Sequence, residues 1–341
     1  MDQDRTFDRL LVTGGCGFIG ANFIRRWSGG HVVNLDALTY AGDARRLAGA
    51  DCRSVTADVA DAEAVRALIA EVRPDAVIHF AAETHVTRSE DAAETFYRTN
   101  VEGTRALLDA LLDEPPDVVV HVSTDEVYGP ALGGPFRADQ KEPGEGLATS
   151  PYARSKALAD DLARGYADRL PLIVARPTNC FGPWQHPEKA FPRWAIRALR
   201  GEQLPVWGDG GYIRDWLPVE DACAALTLLV ERGEPGVTYN IGPKREPEIT
   251  NLELARWIVR APNQPEDRIV LTSYDRPDHD RRYAVDPSRM RALAWEPSPD
   301  VWQRFGEALA WYGENEWWWG ELVEDAESIY ADRSELTEVK P

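Results

Sequence analysis

The chain is poor in cysteine and has no long apolar runs. Its 341 residues include only four cysteines, which show no C-x-x-C spacing. An even cysteine count alone is weak evidence for disulfides in a chain of this length, so we expect free thiols and a reducing, cytoplasmic setting. No apolar run reaches the roughly 18 residues of a membrane span. The N-terminal segment MDQDRTFDRLLV is charged, so no signal peptide is predicted either.

Positive charge is also scarce. The 38 lysine and arginine residues face 57 aspartate and glutamate residues, which gives a formal net charge of −19. Binding to nucleic acid or to an anionic membrane without sequence specificity depends on clustered lysine and arginine. We therefore expect neither partner, and we predict no metal site. The hydrophobic content of 43% is enough for a sizeable core.

Short β-branched runs alternate with helical patterns through the first half of the chain. The runs LLVT, HVVNL, SVTA, AVIHF and VVVHVS are separated by segments such as AEAVRALIAEV, which has a 3.6-residue period. This alternation predicts βαβ units and an α/β fold with a doubly wound parallel sheet buried on both faces. We expect a first domain over residues 1–178, a smaller α/β lobe over 179–331 that is interleaved with it, and a polar tail over 332–341.

Glycines are concentrated between the first predicted strand and the first helix, in LLVTGGCGFIGANFIRRW. Gly14, Gly17 and Gly20 allow a tight turn and close approach of the backbone to a pyrophosphate, and Phe18 and Ile19 begin the helix whose N-terminus attracts anions. The strand, turn and helix context is what a dinucleotide-binding motif of the Rossmann type requires. The alternative is a structural glycine turn.

Two aspartates follow the next two strands. Asp36 comes 22 residues after Gly14, where an acid can bind the adenosine ribose hydroxyls and repel a 2′-phosphate, so NAD is favoured over NADP. Asp58 follows SVTA and is expected near the adenine. For both residues the alternative is an ordinary helix cap.

Tyr152 and Lys156 lie four residues apart in SPYARSK, on one face of a predicted helix. A nearby ammonium favours the phenolate and lowers the pKa of a tyrosine, which makes Tyr152 a candidate base. Alone, such a pair is usually a pair of neighbours. Beside a dinucleotide loop it predicts redox chemistry.

Two adjacent carboxylates, Asp125 and Glu126, follow Thr124 at the end of the buried strand in VVVHVSTDEVYG. A pair of acids in different surroundings can hold different protonation states, so one can donate a proton while the other accepts one. The alternative is that they cap the turn after the strand.

A series of segments over nearly the whole chain resembles the extended short-chain dehydrogenase/reductases that modify nucleotide sugars, and most closely the dTDP-glucose 4,6-dehydratases. The segments are VTGGCGFIGANF, LDALTYAG, FAAETHVTRSE, TNVEGTRALLDA, VSTDEVYG, SPYARSKA, GYIRDWLPVEDA, YNIG, DRPDHDRRYAVD and WYGENEWWW. The resemblance implies a Rossmann domain that holds NAD tightly, with Ala81 among its contacts, and a C-terminal lobe for the nucleotide sugar. It also implies a homodimer built on the helices near residues 94–113 and 151–169.

The resemblance also implies a reaction. C4 of the sugar is oxidised, water is eliminated across C5 and C6, and the hydride returns to C6 to give a 4-keto-6-deoxy sugar. In that reaction Asp125 protonates the departing C6 hydroxyl, Glu126 takes the C5 proton, and Thr124 hydrogen-bonds O4 beside Tyr152.

Nine further positions match the family's contacts to the substrate, for which dTDP-glucose is favoured, although the base could be thymine or uracil. Arginines suit a diphosphate through bidentate contacts, and a solvated surface charge is the alternative for each charged position. The positions are His85, Asn179, Glu188, Lys189, Trp207, Arg214, Asn251, Arg276 and His279.

Several residues depart from the dehydratase pattern. Thr87 replaces a common aspartate, Cys180 replaces an asparagine, and Arg176 and Pro177 resemble the epimerases and decarboxylases of the same superfamily. An epimerase or decarboxylase is therefore the alternative enzyme, and a nucleotide-sugar-binding or NAD-sensing protein without turnover is the alternative of a different class. The closing WWW is expected to pack in the core rather than bind sugar.

Overall fold

The computed structural model describes residues 5–131, 134–136, 138, 150–273 and 280–331. Two predicted substrate residues, Arg276 and His279, lie outside this part of the chain, as do the polar tail and most of the loop over 129–149. Within the described residues, no helix is both long enough and apolar enough to span a bilayer.

The strands alternate with helices along the first half of the chain, as the sequence predicts. The strands are β1 (Arg9–Thr13), β2 (His31–Asp36), β3 (Cys52–Thr56), β4 (Ala76–His79), β5 (Val118–Val122), β6 (Leu172–Pro177), β7 (Cys180–Phe181), β8 (Leu204–Trp207), β9 (Ile213–Arg214), β10 (Leu217–Pro218), β11 (Thr238–Ile241), β12 (Ile249–Thr250) and β13 (Ile269–Thr272). The helices are α1 (Phe18–Arg26), α2 (Ala62–Val72), α3 (Val86–Asp91), α4 (Ala93–Tyr97), α5 (Thr104–Leu111), α6 (Pro151–Arg164), α7 (Ala190–Leu199), α8 (Val219–Arg232), α9 (Asn251–Arg260), α10 (Ser288–Ala292), α11 (Val301–Glu314), α12 (Glu316–Trp319) and α13 (Val323–Ala331).

Seven of the strands form one parallel sheet in the order β11-β6-β5-β4-β1-β2-β3. The strand order reverses between β1 and β4, where the chain starts in the middle of the sheet and winds outward in both directions. In open α/β sheets, ligands bind at such a switch point, beyond the carboxyl ends of the strands. The predicted doubly wound α/β fold is confirmed.

The central strands β4 and β5 are buried on both faces, whereas the edge strand β3 is partly exposed. On one face α1 packs against α8, and on the other α2 and α6 flank α5. Alternate residues of each strand contribute to each side, since Leu10 and Val12 join one apolar cluster while Leu11 joins the other. These continuous apolar runs are typical of strands covered on both faces.

The segment between β4 and β5 is more broken than its sequence indicates. The helical stretch divides into α3, α4, a π-helical turn over Arg98–Gly103, and α5. Asn100 lies in the π-helical turn, accepts a hydrogen bond from the backbone N–H of Glu83 at 2.8 Å and donates to the hydroxyl of Ser155 at 2.8 Å. This contact fastens the loop after β4 to α6.

The later part of the chain builds a third apolar cluster, the C-terminal cluster, from α7, α9, α11 and the β8–β13 pair. Trp318 and Trp319 of the closing WWW are buried in it, as predicted, whereas Trp317 is 60% exposed. Between these elements α8 and β11 return to the central sheet, so the chain crosses between that sheet and the C-terminal cluster more than once.

Candidate active site

A cavity of about 360 Å³ lies at the carboxyl ends of the central strands, where the strand order reverses. All of the predicted catalytic and cofactor residues line it. They are Gly14, Gly17, Phe18, Ile19, Gly20, Asp36, Asp58, Ala81, Thr124, Asp125, Glu126, Tyr152 and Lys156.

The glycine loop forms a backbone cradle that side chains would fill. Gly14 has φ +73°, and a Cβ there would lie 2.6 Å from the backbone nitrogen of Ala81. A Cβ on Gly20 would lie 2.5 Å from the carbonyl oxygen of Gly14. Gly17 is the N-cap of α1 and offers no side chain to bond the first backbone N–H groups of that helix. Such a helix start fits a pyrophosphate.

Asp36 ends β2 and is buried at the wall of the cavity. Its two carboxylate oxygens accept hydrogen bonds from the backbone N–H groups of Cys16 and Leu38, each at 2.8 Å. A carboxylate has about four acceptor positions, so the capacity to accept ribose hydroxyls remains. Burial raises the pKa of Asp36, and the two backbone hydrogen bonds oppose that rise.

Asp58 also lines the cavity, and it is not the cap of the next helix. Asp61 caps α2 by accepting from the backbone N–H groups of Glu63 and Ala64. Asp58 instead accepts from the backbone N–H of Ala60 at 2.8 Å and pairs with Arg98 at 2.5 Å. The helix-cap alternative is therefore wrong for Asp58.

Tyr152 and Lys156 lie in the first two turns of α6, whose start is fixed by Ser150. The Ser150 hydroxyl accepts from the backbone N–H of Ala153 at 3.1 Å. The Lys156 ammonium donates to the carbonyl of Val122 at 2.9 Å, which attaches α6 to the end of β5. Burial lowers the pKa of Lys156 to about 8, although the carboxylate of Asp160 opposes this.

The pKa of Tyr152 differs from the sequence-based expectation. Burial raises the pKa of Tyr152 above its ordinary value, and the carboxylates of Glu126 and Asp125 raise it further. The hydrogen bond with Thr124 opposes the rise. The sequence shows the neighbouring ammonium but not the depth of the site, so the expected lowering of this pKa does not arise from the protein alone.

Thr124 and Asp125 form the junction between β5 and a 3₁₀ turn over Asp125–Tyr128. The Thr124 hydroxyl accepts from the backbone N–H of Glu126 at 3.3 Å and donates to Asp125 Oδ1 at 3.2 Å. Asp125 is only 3% exposed, and among the described residues its Oδ2 atom has no hydrogen-bond partner. Burial, together with the charge of Glu126, raises the pKa of Asp125 well above its ordinary value. The folded site therefore favours the protonated form of this carboxyl group more than water does.

Three predicted substrate residues line the same cavity: Asn179, Glu188 and Lys189. Within the described chain, Oδ1 of Asn179 is buried without a partner. Glu188 is fully buried and accepts from the hydroxyl of Tyr40 and from Nε of Arg88, both at 3.2 Å. Lys189 donates to a backbone carbonyl at 3.0 Å, and burial lowers its pKa.

Other predicted substrate residues lie outside the set that lines this cavity. His85 caps α3 and contacts the Tyr330 hydroxyl at 3.3 Å, and the ring of Trp207 also contacts Tyr330. Asn251 begins α9. Arg214 lies over the ring of Tyr283, and its charge opposes the rise in the pKa of Asp125.

Sequence reasoning missed several residues that line the cavity. Glu83 follows β4 at the carboxyl edge of the sheet, a position that could have been noticed from the strand pattern alone. Thr178, Gln185 and His186 lie in the stretch after β6 and also line the cavity. Among the described residues, the side-chain oxygens of Thr178 and Gln185 are buried without partners, which indicates polar groups prepared for a ligand.

Two of the four residues that depart from the dehydratase pattern line the cavity, and two do not. Cys180 and Pro177 line the cavity, whereas the fully buried Arg176 forms a bidentate ion pair with Asp160 at 2.9 and 2.6 Å. Thr87 is buried in α3 and is not among the residues that line the cavity. Arg176 therefore supports α6 from behind rather than contacting a ligand.

Comparisons with known proteins agree with this geometry. The model of the NAD dependent epimerase/dehydratase family matches residues 10–242. The Low-salt glycan biosynthesis protein Agl12 of Haloferax volcanii is 47% identical over 298 residues, covering 84% of this chain and 93% of its own. A dTDP-glucose 4,6-dehydratase of Xanthomonas campestris is 41% identical over 334 residues, covering 90% and 94%.

Solved structures of dehydratases and epimerases are also similar to this chain. The dTDP-glucose 4,6-dehydratase DesIV from Streptomyces venezuelae, crystallised with NAD, has a TM-score of 0.86 and 37% identity over 92% of this chain and 99% of its own. The UDP-glucose 4-epimerase of Thermus thermophilus, also with NAD, has a TM-score of 0.81 but only 26% identity, over 90% and 99%. The chain thus belongs to the NAD dependent epimerase/dehydratase family, and its glycine cradle and Asp36 fit that cofactor.

Proposed function

We propose that the chain is a nucleotide-sugar 4,6-dehydratase that converts dTDP-glucose, or a closely related NDP-hexose, to the 4-keto-6-deoxy sugar. The observation that carries this proposal is the pair Asp125 and Glu126, which line one cavity together with Tyr152 but differ in burial. An epimerase does not need such a pair, whereas an elimination needs a proton donor and a proton acceptor at once. The glycine cradle and Asp36 would hold NAD, which would supply a hydride acceptor for C4 and a hydride donor for C6.

Tyr152 begins the reaction as the base that removes the proton from the C4 hydroxyl. Its hydrogen bond with Thr124 favours the phenolate, while burial and the nearby carboxylates disfavour it. Positive charge is therefore needed close to the ring, and oxidised nicotinamide is cationic. Lys156, held by the Val122 carbonyl, lies one turn further along α6 and adds charge when it is protonated.

Elimination then divides between the two carboxyl groups. The C4 ketone acidifies the C5–H bond, and Glu126 accepts that proton because it is half-exposed and can carry charge. Asp125 donates a proton to the departing C6 hydroxyl, a role that suits it because burial raises its pKa and so favours its protonated form. The two neighbours therefore take opposite roles, as in other sites where the environment separates the pKa values of two acids.

The nucleotide sugar is proposed to lie between this cavity and the C-terminal elements. Asn179, Glu188 and Lys189 line the cavity itself, and the charge of Arg214 acts on Asp125. A diphosphate would meet cationic groups there. The predicted contacts His85, Trp207, Asn251, Arg276 and His279 belong to the same proposal. The names of several relatives favour thymine as the base.

The test is incubation of the purified protein with dTDP-glucose, UDP-glucose and UDP-N-acetylglucosamine in separate reactions. Product mass and reduced nicotinamide are followed by mass spectrometry and absorbance. Loss of one water without net reduction of NAD is expected with dTDP-glucose. An unchanged mass with an altered sugar configuration would contradict the dehydratase and favour an epimerase instead.

We also infer a division of labour along the chain and a homodimer. Residues 1–178 would bind NAD and supply the catalytic groups, and residues 179–331 would bind the nucleotide sugar.

The dimer would use α4, α5 and α6, whose outer faces retain exposed residues. Light scattering after size-exclusion chromatography tests this, and a monomer mass at micromolar concentration would contradict it.

A further inference from the structure

Arg46 is a buried cation beside the cofactor cavity that the proposed reaction does not use. It lies in a 3₁₀ turn over Ala44–Leu47, is only 1% exposed and lines the cavity. Among the described residues, no carboxylate lies within 4.0 Å of its guanidinium. A buried charge without an ionic partner is costly, so a position like this requires an explanation.

The guanidinium of Arg46 joins three separate parts of the chain. It donates to the carbonyl of Cys16 in the glycine loop at 2.8 Å, to the carbonyl of Ala41, and to the carbonyl of Trp184 at 3.0 Å. Its flat face lies 5.1 Å from the ring centre of the fully buried Trp318. The glycine loop, the loop after β2 and the C-terminal cluster therefore meet at one side chain.

The loop over residues 37–43 has little regular structure of its own, yet four of its residues line the cavity: Ala37, Thr39, Ala41 and Gly42. Asp43 fixes the end of this loop. Its backbone N–H donates to the carbonyl of Cys16 at 3.0 Å, and its carboxylate accepts from the indole N–H of Trp318 at 2.9 Å. Arg46 donates to the carbonyl of Ala41 and so fixes the interior of the loop, as Asp43 fixes its end.

We propose that Arg46 is a positioning residue for NAD, which fastens the loop over residues 37–43 across the cofactor cavity and thereby slows release of the dinucleotide. Two physical effects combine. The rigid planar fork of a guanidinium holds five N–H donors in fixed directions and can bond carbonyls from separate segments, whereas an ammonium has only three donors on a flexible stem. Its charge forms no ion pair within 4.0 Å among the described residues, although the carboxylates of Asp43 and Asp36 act on it from further away. That charge also favours an anionic diphosphate beside the glycine loop. The inference rests on NAD occupying this cavity, as the proposed function requires.

The experiment compares NAD release from the purified wild-type protein and from Arg46→Met, Arg46→Lys and Arg45→Met. Arg45 is the matched control because it lies in the same turn and contacts the Asp43 carboxylate, the Trp318 carbonyl and Glu321, yet does not line the cavity. Its loss leaves the contacts of Asp43 with Cys16 and Trp318 in place. Each protein is loaded with labelled NAD and chased with excess unlabelled NAD, and thermal unfolding is recorded in parallel.

Arg46→Met should release NAD at least about tenfold faster, since it loses charged hydrogen bonds that each contribute substantially. Arg46→Lys should lie between Arg46→Met and wild type, and Arg45→Met should match wild type. With saturating added NAD, kcat of the Arg46 variants should return to near the wild-type value, which a damaged catalytic site would not allow.

Wild-type rates of NAD release from folded Arg46→Met and Arg46→Lys would overturn the inference and leave the proposed function intact. If Arg46→Met does not fold, Arg46→Lys decides the question in the same way. Failure of the wild-type protein to bind NAD at all would overturn the proposed function and the inference with it.

Discussion

At the scale of single residues, the chemistry depends on how differently two adjacent acids are placed. Asp125 is buried and its pKa is raised well above the ordinary value, whereas Glu126 is half-exposed. The Thr124 hydroxyl bonds both residues, to the side chain of one and the backbone of the other. One short turn therefore presents two acids in different surroundings to the same cavity, as the proposed proton donor and proton acceptor.

Asp125→Asn keeps the shape of the side chain but removes the proton to be transferred. We expect C4 oxidation to continue and elimination to slow by about 10²- to 10⁴-fold, the usual contribution of a general acid. Quenched-flow mass spectrometry should then show a 4-keto sugar that retains its C6 hydroxyl. A 6-deoxy-6-fluoro substrate is the control, because fluoride leaves with less need of a proton. If the variant eliminates water at the wild-type rate, another group is the acid.

The pH dependence of elimination follows from the same carboxyl group. Because the pKa of Asp125 is raised, its protonated form persists to higher pH than that of an ordinary aspartate and is lost as pH rises through that raised value. The single-turnover rate of elimination should therefore fall on the alkaline side. Asp125→Asn should lack that fall, and an identical alkaline limb in the variant would assign it to a different group, such as Lys156 with its pKa of about 8.

At the scale of secondary structure, the site depends on ion pairs behind the elements that carry it. Arg176 on β6 and Asp160 on α6 are both fully buried and form a bidentate pair. Arg176 also donates to the hydroxyl of Tyr128 at 2.7 Å, which in turn donates to Asn240 at 2.7 Å. The chain of contacts connects α6, which carries Tyr152, to the turn that carries the two acids.

Arg176→Met should destabilise the protein by about 3–5 kcal/mol, since it leaves the carboxylate of Asp160 buried without its main partner. Arg164→Met is the matched control, because Arg164 also bonds Asp160 but is 40% exposed. That exposed pair should contribute less than about 1 kcal/mol. Urea unfolding of both variants measures the difference in the free energy of unfolding. Equal unfolding midpoints for the two variants would mean that the buried ion pair stabilises the fold no more than the exposed one.

The C-terminal helix α13 is attached to α7 through one carboxylate. Glu327 pairs with Arg193 and Arg197, each at 2.7 Å. Burial alone would raise the pKa of Glu327, but the hydrogen bonds from the two arginines lower it to about 2. A carboxyl group with a lowered pKa stabilises the fold above its unfolded value of 4.5, and this contribution is lost as pH falls toward 2.

Glu327→Gln should therefore cost about 2 kcal/mol at neutral pH, with the difference from wild type shrinking as pH falls below about 4.5. Glu324→Gln, an exposed change on the same helix, should stay within about 0.5 kcal/mol. Chemical unfolding at several pH values gives both results. A difference that stays constant down to pH 3 would show that the carboxylate charge is not the source of the stabilisation.

The elements that the sequence predicts best are those with a local pattern. The strands β1 and β5, the helix α6 and the glycine loop all follow from apolar periodicity and turn residues. The broken stretch from α3 to α5 does not, because the π-helical turn at Asn100 is fixed by contacts with Glu83 and Ser155 on distant segments.

The candidate site, like the fold, can be predicted from the sequence only where a local pattern marks it. The acids after β5 and the Tyr152–Lys156 spacing are visible in the sequence, but the raised pKa of Tyr152 depends on burial that only the folded chain reveals. Arg46 carries no local signal, since its three carbonyl partners come from three parts of the chain. Arg176 suggested a different enzyme by its place in a motif, yet the folded chain puts it behind α6.

At the scale of the whole molecule, the dominant feature is the excess of negative charge. With a net charge of −19, the folded chain repels itself, and this repulsion opposes compactness. Salt reduces it, because the screening length falls from about 10 Å at 0.1 M to about 3 Å at 1 M ionic strength. The surface ion pairs are screened as well, but each contributes little.

The melting temperature at pH 7 should therefore rise as KCl increases from about 0.1 to 1 M, over which repulsion between well-separated carboxylates is screened. The sequence pI of about 4.8 supplies the control, because close to that pH the net charge vanishes and the benefit of salt should largely vanish with it. Differential scanning calorimetry at both pH values makes the comparison. An equal rise at the two pH values would mean that salt acts through apolar burial rather than through the excess charge, since exclusion of salt from apolar surface does not depend on net charge.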